Sequence, residues 1–259
     1  MYDVAHRDIL EYFYIKTGIH FDEKKDVVAN KIDMFYKARN FENANSFFVA
    51  LKSDATLWQE FVNLLTVNET YFFREMHQLN IMAELVKNMQ GIDVLCAPSS
   101  SGEEPYTILM SLAEAGLLGR VRKLVGIDIN SDVIERAKKG IYSKRSLHRA
   151  PDGVMSKYFT KKSEELFEIA NDVKKYVDLL TLNIFDPSVK SLGRFDFVFS
   201  RNMIIYFNKE SRALAEKALY DLLKPGGILF LGHADIVQNI FNLKKIVQGG
   251  IVYYQKERD

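Results

Sequence analysis

From about residue 91 onward the chain alternates short apolar segments with helical stretches, and that alternation restricts the fold more than any other feature. Strand-like segments fall at residues 93–96, 124–128, 177–182, 195–199 and 228–232, with helical patterns at 104–115, 132–139 and 210–223. The strands are apolar at most positions rather than at every second one, which is the pattern of strands covered on both faces. Strands joined through helices run parallel, so this part of the chain predicts an α/β fold with a doubly wound, mostly parallel sheet. Two further segments, 243–247 and 251–255, are joined around Gly249-Gly250 and predict a terminal antiparallel hairpin. Lys224-Pro225-Gly226-Gly227 predicts a turn just before the fifth strand.

Residues 1–75 read as a small N-terminal all-helical domain with its linker. Val27, Val28, Ile32, Met34 and Phe35 recur roughly at helical spacing with lysines between them, and helices are expected over 4–17, 23–37, 44–52 and 55–65. Gly18 and Asn40 mark helix ends. The sheet domain then occupies 76–259. Residues 140–175 break its alternation with Pro151, Gly153 and short apolar pieces at 158–159 and 166–169, and a small β-subdomain is expected as an insert at about 145–178.

Composition narrows the class of partner and compartment. A formal net charge of +1 gives no global case for nucleic acid. Cys96 is the single cysteine, so no internal disulfide forms, which fits a reducing cytoplasm. No apolar run reaches the roughly 18 residues needed to span a bilayer, and residues 1–8 lack a charged-then-apolar signal. A cytoplasmic protein without membrane insertion is expected.

The loop Cys96-Ala97-Pro98-Ser99-Ser100-Ser101-Gly102-Glu103-Glu104-Pro105-Tyr106 joins the first strand to its helix, where nucleotide-type cofactors bind. A dinucleotide pyrophosphate needs several bare glycine amides, and here only Gly102 is present. Glu103 and Glu104 would also repel an anion. S-adenosylmethionine, which has no phosphate but carries a sulfonium and an ammonium, suits the loop better. The simpler reading is that both glutamates favour a helix N-terminus, with Pro105 in the first turn. Asp128 ends the second strand, where a carboxylate accepts hydrogen bonds from ribose hydroxyls. Asn130 or Ser131 can cap the following helix, which leaves Asp128 free for that role.

Three more segments complete the pattern: Leu65-Thr66-Val67-Asn68-Glu69-Thr70-Tyr71-Phe72-Phe73-Arg74-Glu75 between the domains, Ser200-Arg201-Asn202-Met203-Ile204-Ile205-Tyr206-Phe207 after the fourth strand, and Leu231-Gly232-His233-Ala234-Asp235 after the fifth. With the Ser101–Tyr106 stretch they resemble, in order and over nearly the whole chain, the chemotaxis-receptor methyltransferase (CheR) family, which esterifies receptor glutamates with S-adenosylmethionine. The resemblance implies a class I S-adenosylmethionine-dependent methyltransferase sheet, S-adenosylhomocysteine as product, and chemoreceptor cytoplasmic helices as protein substrate. It implies that Asn68, Thr70 and Arg74 lie over the cofactor, that Gly102 and one of Glu103 and Glu104 face it, Glu104 being favoured, and that Asp128 holds the ribose. Asn183 and Ile184 would sit by the adenine, Arg201 and Asn202 would complete the pocket, and Tyr206 would approach the methyl group. Arg74 and Tyr206 are thus the candidate catalytic residues. In the family, the segment here at 157–178 can bind a receptor's C-terminal tail peptide.

His233-Ala234-Asp235 departs from the family's His-Ser-Glu and is given no catalytic role. Phe72 and Phe73 read as core, Cys96 as a buried packing residue, and the five histidines show no metal-ligand spacing, so no metal is expected. Other readings are a non-catalytic cofactor sensor or receptor tether, and a methyltransferase for a small molecule or RNA. The latter leaves the Asn68–Glu75 segment unexplained.

Overall fold

A computed structural model describes residues 4–21, 24–235 and 240–258. The N-terminal domain consists of helices α1 (Val4–Thr17), α2 (Lys25–Ala38), α3 (Ala44–Ser53) and α4 (Ala55–Leu65). The expected start of the second helix, residue 23, lies outside the described residues. Short polar side chains set two of the helix starts: Asn43 Oδ1 accepts from the Ser46 amide, and Asp54 Oδ1 from the amides of Thr56 and Leu57. The apolar faces close on a core of their own around Ile9, Phe13, Ile32, Phe47 and Phe61. Phe13, Phe35, Phe47 and Phe61 meet edge-on or tilted at 5.4–5.8 Å between ring centroids, the arrangement that aromatic quadrupoles favour.

After the linker come α5 (Met76–Val86), β1 (Ile92–Cys96), α6 (Glu103–Glu114), β2 (Val121–Asp128) and α7 (Ser131–Lys139). The insert follows as β3 (Ile141–Ser143), α8 (Asp152–Tyr158), β4 (Phe159–Lys161) and β5 (Leu166–Ile169). The chain then returns through α9 (Asn171–Lys174), β6 (Asp178–Thr181), β7 (Phe195–Ser200), α10 (Lys209–Asp221), β8 (Leu223–Leu231), β9 (Leu243–Gln248) and β10 (Ile251–Lys256). The main sheet has the order β6-β2-β1-β7-β8-β10-β9. Its pairs from β6 to β8 are parallel, and β10 is antiparallel to both β8 and β9. The chain winds outward from β1 through β2 to β6, then resumes on the other side of β1 with β7. That reversal opens a crevice above the carboxyl ends of β1 and β7, where α/β sheets bind ligands.

Three local features differ from the sequence reading. Helix α5 was not anticipated, because its first turn has no acidic residue and Glu75 before it makes no side-chain cap. The Lys224–Gly227 stretch is not a free turn but a bulge within β8: Leu223 pairs with Phe195 and Ile228 with Phe197, and Gly226 takes φ +79° to accommodate it. Helix α10 accordingly ends at Asp221. The small antiparallel sheet, β3-β5-β4, opens at Ile141, ahead of the expected 145. Phe72, Phe73 and Cys96 are buried, and burial pushes the Cys96 thiol up, with Glu104 beside it adding to the effect.

A polar seam joins the two domains. Gln59 Nε2 donates to Ile129 O (2.9 Å), Asn63 Nδ2 to Ser131 Oγ (2.9 Å), and the Ser131 amide to Asn63 Oδ1 (3.0 Å). Asn130 donates to Thr66 Oγ1 (2.7 Å) and Asn63 O (3.2 Å) while its own Oδ1 caps α7. At the other end of the helical domain, Asn183 donates to Lys16 O and Asn208 to Tyr14 Oη, each at 2.9 Å. Asn130→Ala removes a helix cap and two seam bonds together. It should lower the unfolding free energy in urea by about 1–3 kcal/mol.

Candidate active site

The crevice is a cleft of about 640 Å³. Ala97, Pro98, Asp128, Ile184, Asn202 and Tyr206 line it from the sheet side, and Phe21, Lys24, Val28 and Asn68 from the helical domain. It continues into a smaller chamber of about 60 Å³ walled by Thr70, Arg74, Ser100, Glu104 and Arg201. Asn68, Asp128, Asn202 and Tyr206 border both.

The floor is the β1–α6 loop, pressed against β2. A Cβ on Gly126 would lie 2.8 Å from Ser99 Cβ, so only glycine lets the loop approach this closely. The Ser99 amide donates to Ile127 O (2.7 Å) and the Ser100 amide to Asp128 Oδ2 (2.9 Å). Asp128 Oδ1 accepts from the Asn130 amide (2.9 Å), and Asn130 performs the capping of α7, as the sequence suggested. Burial raises the Asp128 pKa to about 6, while the backbone donors of Asn130 and Ser100 pull it partly back. Its carboxylate can still accept a hydroxyl donor from the cleft.

The two loop glutamates part company. Glu104 borders the chamber; Glu103 does not. The Glu103 carboxylate is turned behind the loop, accepting from Ser101 Oγ and Ser146 Oγ at 2.7 Å each, so its assignment as a cofactor contact is corrected. Burial raises its pKa and the two serines oppose that rise. Gly102 is likewise outside the chamber. A Cβ there would meet Ala137 at 2.8 Å, and its φ of +92° is left-handed, so it serves the turn and its packing against α7 rather than cofactor contact.

Glu104 Oε2 instead accepts from Arg201 Nε in a buried ion pair. Arg201 Nη1 donates to Arg74 O (2.7 Å), so one guanidinium ties together the β7 end, the α6 start and the inter-domain segment. Asn202 follows with φ +59°, and its amide and those of Gly232 and Ile205 all donate to the Asp235 carboxylate. Asp235 thus holds the Arg201–Tyr206 loop in place, a role no spacing announced. His233 is exposed and lies 3.0 Å from Glu75. Tyr206 closes the 3₁₀ turn Ile204–Tyr206 and faces both cavities; burial, then Glu69, pushes its phenol up while Arg74 draws it down. The Arg74 guanidinium lies over the Tyr71 ring and donates to Glu69 O at 3.4 Å; among the described residues no carboxylate pairs with it.

Asn183 reaches the cleft beside Ile184, but its amide is engaged by Lys16 O and the Phe185 amide, which makes it a seam residue as well as a wall. Ser100, Glu104 and Asn202 border the chamber, and Ser100 Oγ, Glu104 Oε1 and Asn202 Oδ1 are buried without a hydrogen-bond partner among the described residues. Orphan acceptors beside a buried carboxylate fit the ammonium and hydroxyl donors of S-adenosylmethionine, and fit a pyrophosphate poorly.

The description "CheR methyltransferase, all-alpha domain" matches residues 6–66, and "CheR methyltransferase, SAM binding domain" matches residues 68–252. The chain belongs to the CheR methyltransferase family. It is 34% identical to a chemotaxis protein methyltransferase of Campylobacter jejuni over 93% of this chain and 91% of that protein. Chemotaxis protein methyltransferase 2 of Vibrio cholerae is 34% identical over 91% of this chain and 87% of its own length. The Escherichia coli chemotaxis protein methyltransferase is 33% identical over 90% and 84%. S-adenosylmethionine is the cofactor of this CheR domain. No helix among the described residues is long and apolar enough to cross a membrane.

Two outcomes follow from the site. Ribose hydroxyls donating to Asp128 would favour its ionised form, so on that assignment S-adenosylhomocysteine affinity measured by calorimetry should rise as pH climbs through about 6 and level off above. Below that it should weaken by up to about tenfold per pH unit, and Asp128→Asn should flatten the profile. Glu104→Ala leaves Arg201 buried and unpaired, and should cost about 3–5 kcal/mol in urea unfolding.

Proposed function

We propose that this chain transfers the methyl group of S-adenosylmethionine to glutamate side chains on chemoreceptor cytoplasmic helices, forming methyl esters in the cytoplasm. The observation that carries this reading is Arg74: a guanidinium bordering the cofactor chamber with no carboxylate paired to it among the described residues. The names of the Campylobacter, Vibrio and Escherichia relatives, all chemotaxis methyltransferases, support the chemotactic setting.

When bound, S-adenosylmethionine supplies an electrophilic methyl on a positively charged sulfur. A glutamate carboxylate, with an ordinary pKa of about 4.3, is already ionised at neutral pH, so no residue here need act as a base. Arg74 keeps its proton and can fork onto the acceptor carboxylate, leaving one oxygen lone pair aimed into the chamber. Tyr206, its phenol pushed up and therefore protonated, borders the same chamber and can donate a hydrogen bond there. Glu104 and Asp128, which both border the chamber, hold the cofactor's polar groups. Acceptor and donor charges cancel as the bond forms, so walls that exclude water stabilise the transition state relative to separated ions. A receptor's C-terminal tail is a further proposed partner, at residues 157–178, and calorimetric titration with a tail peptide tests it.

Incubation with methyl-labelled S-adenosylmethionine and a receptor cytoplasmic fragment should yield base-labile label released as methanol. No transfer to any cognate receptor, by folded protein that binds S-adenosylhomocysteine, would sink the proposal. Arg74→Ala should lower turnover by about 10²-fold or more, because a misaimed acceptor loses its near-attack geometry. Its S-adenosylhomocysteine affinity should change far less.

A further inference from the structure

Glu103 is left over from the site as described, and its surroundings are specific. A carboxylate at 2% exposure is costly unless its hydrogen bonds are met, and an apolar residue would fill the same space without that cost. Here the bonds are met from two directions. Ser101 belongs to the cofactor loop, whereas Ser146 belongs to the segment between β3 and α8 of the inserted subdomain. The same Ser146 accepts at its carbonyl from the Phe72 amide (2.9 Å). A second route runs parallel: Thr107 Oγ1 donates to Glu103 O (2.6 Å) and accepts from the Phe73 amide (3.2 Å). Tyr142 of β3 donates to Ser101 O (2.8 Å) and meets the Phe72 ring edge-on at 4.7 Å. Glu103 precedes Glu104, and the two routes end at Phe72 and Phe73, two residues and one residue before Arg74 at the chamber.

We propose that Glu103 and Ser146 are positioning residues: a clamp through the inserted subdomain that registers the cofactor loop against the Asn68–Arg74 segment. Neither touches the chamber. They set the placement of Glu104 against the Asn68–Thr70 stretch, which borders the same chamber, and therefore act on cofactor affinity rather than on the reacting atoms. The inference goes beyond the methyl acceptor and rests only on cofactor binding at this loop.

The test is calorimetry of S-adenosylhomocysteine with the full chain and no acceptor, so its outcome is independent of whether glutamate is the substrate. Ser146→Ala removes the hydroxyl and keeps the carbonyl that holds Phe72. Glu103→Gln preserves shape while replacing one acceptor oxygen by a donor. Ser146→Ala should weaken binding about three- to tenfold at unchanged stoichiometry, with Glu103→Gln showing a smaller loss. The double variant should be weaker than Ser146→Ala by less than the Glu103→Gln factor, because the two substitutions break one interaction. In the transfer assay the KM for S-adenosylmethionine should rise while kcat at saturation holds. Affinities equal to the unaltered protein's, with only a lower thermal midpoint, would overturn the clamp and leave a packing contact. Strictly multiplicative losses in the double variant would overturn it as well.

Discussion

The ion pair between Arg201 and Glu104 is the interaction on which the site depends. Both side chains are buried, so each charge is tolerable only because the other is there. The pair spans the point where the strand order reverses, joining the end of β7 to the first turn of α6. A carboxylate in that turn also sits in the favourable field of the helix N-terminus. Arg201 then extends one more bond to the carbonyl of Arg74, bringing the inter-domain segment to the same point. Segments far apart in the chain thus owe their relative placement to one guanidinium.

That guanidinium is itself held from beyond the sheet. Asn202, in a left-handed conformation, is fixed by Asp235, whose carboxylate gathers amides from the β7 and β8 ends. Gly232 keeps the approach open, since a Cβ there would come within 3.0 Å of Asn202. The loop bearing Arg201, Asn202 and Tyr206 is therefore anchored to the next strand and is not a flap. Asp235 escaped notice in the sequence because a carboxylate bonded to backbone amides leaves no partner residue to recognise.

The parts of the molecule that were legible in the sequence are those where one residue type has one physical reason to be present. Apolar runs gave away β1, β2, β7 and β8, because strands buried on both faces leave little room for polar residues. Asp128 and Asn130 were separable because a helix needs only one cap. What escaped depended on direction or on distant partners. Glu103 and Glu104 are adjacent and chemically identical, and only the positions of Ser146 and Arg201 decide which one faces inward. Asn183 was read as a cofactor wall, and its bond to Lys16 O comes from the far side of the chain. The Lys224–Gly227 stretch has turn chemistry, yet the pairing of Leu223 with Phe195 carries it into a strand.

The seam between the domains carries a set of amide and hydroxyl hydrogen bonds beside its apolar contacts. Apolar surfaces can slide over one another with a gradual change in energy, whereas directional bonds are either made or broken. Displacing α4 by one residue along the β2–α7 loop would unpair Gln59, Asn63 and Asn130 together. At the opposite rim, α1 is pinned in the same way to Asn183 and Asn208. The width of the cleft is thereby a set dimension of the molecule, much as a strand length is. A molecule entering the cleft must match that width on arrival, and its shape is tested before its chemistry.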